Sequence, residues 1–304
     1  MGKKHLRAFA ALGLLISFCS VALTSCTQNS EVQTSKCNDA PISVLATINQ
    51  WGSLAKQIGG ACVQVDSVIS SPSQDPHEYE PNATDIAKFS NSKLIIINGA
   101  GYDEWAIKAQ NQSGSNAKII NVGQINNVEQ GANPHLFYSL KYIEKAAENI
   151  NVSLSEIDSN LKDYFEKNYN ETIEKYYALD KKISVEKEKS NSKKVGVSES
   201  VANYLLEEYG FKNLTPQGFA QSVANEGEVS ANDLNSFSQL INGKKINLFI
   251  ENIQEENNTT DQLVNLAKKN KIPIIKVTES MDENFGYPDI WLASIIENIN
   301  SAIK

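Results

Sequence analysis

Residues 161–183, LKDYFEKNYNETIEKYYALDKKI, decide how the rest of this chain is read. Leu161, Phe165, Tyr169, Ile173, Tyr176, Leu179 and Ile183 recur at steps of three or four, which lines them up as one stripe on a helix face. Neither glycine nor proline interrupts the stretch. At a rise of 1.5 Å per residue, a helix of some 25 residues is about 37 Å long, enough to run across two lobes. The charged segment 186–194, EKEKSNSKK, ends it in solvent.

On either side of this helix the pattern alternates. Upstream, residues 42–47 (ISVLAT) read as a buried strand, 50–58 as a helix stopped by Gly59 and Gly60, and 63–69 as a second strand. A loop carrying His77 follows, then a helix near 84–90 with Asn82 as its cap and a strand at 94–97. A loop with Gly99 and Gly101 leads to a helix near 104–110, a fourth strand at 118–122 and a longer loop to His135. Downstream, a strand at 195–198 opens onto Glu199, and a helix at 201–209 closes at Gly210. Ser230 with Asp233 forms a capping-box pattern that introduces a helix ending near Gly243. A strand at 246–250, a helix at 260–269 and a strand at 272–277 come next, with Asp289 capping a final amphipathic helix. Strands alternating with helices imply mostly parallel sheets covered on both faces. The expected architecture is α/β: a first lobe over 41–160, a linking helix over 161–190 and a second lobe over 191–304.

The N-terminus reads differently. Lys3, Lys4 and Arg7 precede an apolar run from 8 to 23, which is shorter than the roughly 18 residues expected of a spanning helix and fits a secretory signal. Leu23-Thr24-Ser25-Cys26 resembles a bacterial lipoprotein processing box, so residues 1–25 are expected to be removed and Cys26 to carry lipid. Residues 26–40 are polar and aperiodic and read as a tether. Loss of the first 25 residues removes three positive charges and no negative ones, taking the formal charge from −8 to about −11. Such a balance argues against a nucleic-acid partner. With Cys26 lipidated in an oxidising compartment, Cys37 and Cys62 remain as a pair, and a disulfide between them is expected.

Chemistry concentrates at strand ends. The chain has three histidines, and His5 lies in the signal segment. The other two share one local pattern, Asp75-Pro76-His77 and Asn133-Pro134-His135. In open parallel sheets ligands bind beyond the carboxyl ends of the strands. His77 and His135 follow strands of the first half, and Glu199 and Glu279 follow strands of the second. Two neutral imidazoles and two carboxylates balance a divalent cation in a cleft between the lobes. Asp282 and Glu283 lie close enough in sequence to Glu279 to take its place.

Over about residues 42–304 the chain resembles the metal-binding lipoproteins of bacterial ABC importers, the manganese and zinc solute-binding proteins. Residues 75–81, DPHEYEP, match that family's first ligand loop, and Asn133-Pro134-His135 matches the second. Asn98-Gly99-Ala100-Gly101 with Trp105 resembles the segment after the third strand. Ser198-Glu199, ahead of Tyr209-Gly210, is similar to the third ligand position, and Thr278-Glu279-Ser280 aligns with the fourth. The resemblance implies two α/β lobes on one long backbone helix. It also implies an extracytoplasmic, lipid-anchored, monomeric receptor that captures Mn2+ or Zn2+ and delivers it to a permease and its ATPase. Glutamate where many zinc carriers have a third histidine hardens the site and tips the balance to manganese. Two readings stand against transport: a surface adhesin with a structural metal, and an extracellular metallohydrolase. Four protein ligands close a tetrahedral site and no HExxH motif occurs, so no enzyme is expected.

Overall fold

The computed structural model describes Cys37, residues 40–71, Gln74, Pro76, residues 79–254 and residues 257–304. The signal segment, Cys26, most of the tether and His77 lie outside the described residues. Among the described residues, no helix is long and apolar enough to cross a membrane.

The first half begins with β1 (Ile42–Ile48), which runs straight into α1 (Asn49–Gly59) and then β2 (Val63–Ile69). Next come α2 (Ala83–Asn91), β3 (Leu94–Ile97), α3 (Glu104–Ser113), β4 (Lys118–Asn121) and the single turn α4 (Val122–Ile125). The four strands form one parallel sheet in the order β2-β1-β3-β4. Local chemistry sets the boundaries: Asn82 and Asp85 form a reciprocal capping box on α2, each satisfying a backbone N–H of the first turn. A disulfide joins Cys37 to Cys62, so the segment entering β1 is tied to the segment entering β2.

Two long helices follow, α5 (Leu140–Ile157) and α6 (Lys162–Ser190). With 29 residues, α6 is about 44 Å long. It buries Phe165, Ile173, Tyr176, Leu179 and Ile183, and it packs on α1 and α5. The sequence reading names no helix for α5, although Leu140, Ile143, Ala147, Ile150 and Leu154 carry the same three-and-four spacing and are buried.

The second half repeats the plan with β5 (Lys194–Val197), α7 (Asn203–Glu208), the two-residue β6 (Lys212–Asn213), α8 (Gln217–Ala224) and α9 (Ala231–Asn242). Then come β7 (Leu248–Asn252), α10 (Asn258–Lys269), β8 (Ile274–Val277) and α11 (Pro288–Ala302), which packs against α6. This sheet is also parallel, in the order β6-β5-β7-β8. Asp289 does not cap the last helix as the sequence suggested. Tyr287 holds the N-cap position and Pro288 is the first helical residue, where its missing N–H costs nothing. The Asp289 side chain instead accepts a hydrogen bond from Gln57 of α1 at 2.8 Å.

Candidate metal centre

His135 ends a long connection from α4 and is fixed from both sides. Behind it, the Asn98 side-chain amide donates to the Pro134 carbonyl at 2.9 Å, and the His135 N–H donates to Asn133 Oδ1 at 3.2 Å. Ahead of it, Leu136, Phe137 and Tyr138 form a buried 3-10 turn that leads to α5. The imidazole packs against the rings of Tyr102 and Phe137, each centroid 5.9 Å away in edge-on geometry. Its Nδ1 lies 2.6 Å from Asn133 Oδ1. An amide oxygen only accepts, so Nδ1 carries the proton and Nε2 is the atom turned to the site.

Asn98 in turn depends on Asp103. Both carboxylate oxygens of Asp103 accept backbone N–H groups, from Asn98 at 2.7 Å and Gly99 at 2.8 Å. Burial pushes the Asp103 carboxyl up to about 6 against those hydrogen bonds. Gly99 has φ 75°, and a Cβ there would run into the Asn121 side chain, so this turn requires glycine.

Glu199 follows β5. The Ser198 hydroxyl accepts the Asn252 N–H at 2.9 Å, and the Asn252 side chain donates to Glu199 Oε2 at 2.6 Å. Glu279 follows β8, and its Oε1 is 2.6 Å from His135 Nε2, while Glu199 Oε1 is 3.9 Å from the same nitrogen. One ligand atom from each of His135, Glu199 and Glu279 lies within 4.8 Å of the others. A single divalent cation with first contacts of about 2.0–2.2 Å spans such a group. His135 is 3% and Glu279 8% exposed, so a cation here exchanges water for protein donors. An open cavity of about 840 Å3 borders all three and continues between α8 and the start of α10.

Of the four residues read from the sequence, the structure brings together three, and the fourth, His77, lies outside the described residues. Its flanks are anchored: the Trp105 indole donates to the Pro76 carbonyl at 3.0 Å, and the Tyr79 ring packs on Trp105 at 4.9 Å. Asp282, the alternative to Glu279, is engaged elsewhere, accepting from the Asn284 N–H and side chain at 2.8 and 2.7 Å. Sequence reasoning missed the asparagines that orient these side chains. Asn133 stands inside the Asn-Pro-His unit and Asn252 at the end of β7, but an asparagine shows its role only when its partner is known.

A family model described as "Zinc-uptake complex component A periplasmic" matches residues 44–302. The chain belongs to this ZnuA family. The zinc-binding lipoprotein AdcA of Streptococcus pneumoniae serotype 4 is 25% identical over 313 residues, covering 96% of this chain, which spans 60% of that relative's length. The manganese ABC transporter substrate-binding lipoprotein scaA of Streptococcus gordonii is 27% identical over 309 residues, 94% of each chain. Among solved structures, the periplasmic zinc binding protein TroA from Treponema pallidum superposes with a TM-score of 0.73 at 17% identity, covering 87% of this chain and 99% of that one. At that identity the likeness speaks for the ZnuA-type fold alone: two α/β lobes on one long helix.

Proposed function

We propose that this protein is the extracytoplasmic receptor of a metal-importing ABC system, carrying Mn2+ or Zn2+ as cargo to a permease driven by its ATPase. The observation that carries this reading is the convergence of His135, Glu199 and Glu279, from loops of both halves, to within 4.8 Å. His77, which follows β2 in the sequence, completes the donor set. Lipid on Cys26 holds the monomer at the membrane, and residues 27–40 let the lobes stand away from it. The protein binds and releases its cargo without turnover.

Two carboxylates beside the imidazoles favour manganese, whereas affinity order alone favours zinc. Metal affinity falls at low pH as the imidazoles protonate. Calorimetric titration of Mn2+ and Zn2+ tests the site: His77→Ala and His135→Ala are each expected to abolish tight binding, and unchanged affinity in both would sink it. Elemental analysis of protein purified without added metal or chelator, followed by competition, tests the cargo. Zinc retained against excess manganese overturns the preference for manganese but leaves the transport reading standing.

A further inference from the structure

The loop that carries Glu279 belongs by sequence to the second half, yet its backbone is held mainly by the first. Tyr138 donates its hydroxyl to the Thr278 carbonyl at 2.8 Å. Gln50, in the first turn of α1, donates to the Glu279 carbonyl at 2.5 Å, and its neighbour Asn49 donates to the Met281 carbonyl at 2.7 Å. One contact comes from the second half, where Gln254 Oε1 accepts the Ser280 N–H at 2.8 Å. Four successive residues thus each have a backbone group met by a side chain, and three of the four side chains come from the first half, two from α1 and one from the turn before α5.

These donors are not surface contacts. Gln50 is 2% exposed, Asn49 8% and Tyr138 fully buried. Burial holds the Tyr138 phenol well above its ordinary range, so it stays a neutral donor. Buried amide-to-carbonyl bonds are costly to break, because both partners then lose a hydrogen bond away from water. Glu199 is held otherwise: its carboxylate is oriented by Asn252 of its own half.

We propose that Gln50, with Asn49 beside it, is a positioning residue for the fourth metal ligand. The pair locks the Glu279 loop to the start of α1 in the first half, so that the Glu279 carboxylate keeps a fixed distance from His135 whether or not the outer part of the second half moves. The clamp fixes the width of the site. It slows the departure of bound metal, and it stops the site contracting around an ion that prefers shorter bonds and fewer ligands, which favours manganese over zinc. This inference rests on the metal-receptor reading above.

The test compares Gln50→Met, which keeps the volume and deletes the donor, with Asn49→Ser and Glu279→Ala in the otherwise intact mature protein. Stopped-flow chelator competition reads metal dissociation, and equilibrium competition reads the Mn2+/Zn2+ ratio. The clamp predicts dissociation at least tenfold faster in Gln50→Met and in Asn49→Ser, with association unchanged within twofold and the ratio shifted toward zinc. Each variant tests the loop separately, so a failure of one to fold leaves the other decisive. Dissociation within twofold of the parent and an unchanged ratio would overturn the clamp. If Glu279→Ala also binds metal as tightly as the parent, the ligand assignment itself has failed; if it loses affinity while the clamp variants do not, only the clamp has.

Discussion

The two halves of this protein share a strand order, two-one-three-four in each sheet, but they bury their helices differently. In the first half the residues on both faces of the sheet join one continuous core that runs on through α6 and α11. In the second half only one face does so, through Val195, Val197, Leu248, Ile250, Ile275 and Val277. The other face, with Phe249, packs Phe219, Phe237, Ile241, Leu263 and Val264 of α8, α9 and α10 into a separate cluster. A parallel sheet needs cover on both sides, and here one cover is structurally continuous with the rest of the chain while the other is a satellite. Glu199 and Glu279 leave β5 and β8, whose Val197 and Val277 point into the continuous core, so the proposed ligands are mounted on the better-connected layer. Helices α8 and α10 flank the adjoining cavity and belong to the satellite.

The largest expected effect separates the two cores. Phe237 is fully buried in the satellite and Leu45 fully buried in the continuous core, and truncation to alanine costs about 3–5 kcal/mol for a phenylalanine and about 2–5 kcal/mol for a leucine. Leu45→Ala should lower the main calorimetric transition. Phe237→Ala should instead split off an earlier transition, with faster amide exchange confined to α8, α9 and α10, and should weaken metal binding less than tenfold. One cooperative transition shifted equally by both variants would erase the distinction.

A covalent difference comes next. Among the described residues, the Cys37–Cys62 disulfide lies in the first half and spans 25 residues of sequence. Closing a loop of that length stabilises by about 3.5 kcal/mol. Replacing both cysteines by serine should lower the main transition and speed exchange in β1 and β2, and leave α8 to α10 unchanged. Metal affinity should not move, because the bridge lies at the strand starts and the proposed ligands at the opposite ends. A large loss of affinity would mean that the two ends of the sheet are mechanically coupled.

A smaller effect tests the orienting asparagines, one in each half. Asn133 fixes the tautomer of His135 and donates to the Ser200 carbonyl at 2.9 Å; Asn252 holds Glu199. Groups that orient metal ligands cost about 10–100-fold in affinity when removed. Asn252→Ala and Asn133→Ala should both fall in that range by calorimetry, with Asn133→Ala the worse because it also loosens the contact between the halves. A reversed order would place control of the site in the second half.

These expectations show what the sequence could and could not convey. The long helix was legible because its stripe repeats over seven buried or half-buried positions, and the strands because apolar runs between turn residues have few alternatives. The convergence of His135, Glu199 and Glu279 was legible because the loops beyond the carboxyl ends of parallel strands gather at a common edge. Helix α5 carries the same periodicity, but it has no glycine or proline stop between it and α6 to mark it as a separate element. The two-residue β6 has no periodic signal at all. Gln50, Asn49 and Asn252 stayed hidden because their roles are contacts across large sequence distances, up to 232 residues for Asn49 and Met281, and Asn133, only two residues from His135, because an asparagine before proline fits an ordinary turn equally well.

The smallest effect concerns a further contact between the halves. Glu208, at the end of α7, reaches into the first half and accepts the Leu140 N–H at 3.0 Å at the start of α5. Its other oxygen is buried and meets no hydrogen-bond partner among the described residues. Burial, assisted by the nearby Asp180 charge, raises its pKa from 4.5 to about 7, against the hydrogen bonds from Leu140 and Ser139. A carboxyl whose pKa rises on folding binds its proton more tightly in the native state, so protonation favours folding. Its stabilising contribution is fully present below pH 4.5 and is lost as pH rises through about 7. Glu208→Gln keeps an acceptor for Leu140 and removes the charge, so it should behave as the protonated form at every pH. The variant is expected to be more stable than the parent at pH 8 by on the order of 1 kcal/mol, a shift of about 2–4 °C, and indistinguishable from it at pH 4. Melting temperatures that coincide at pH 4 and separate in favour of the variant by pH 8 would show that this contact between the halves works as a neutral cap on α5. A variant less stable at pH 8 would show that the charge of Glu208 at the positive end of the helix outweighs its burial.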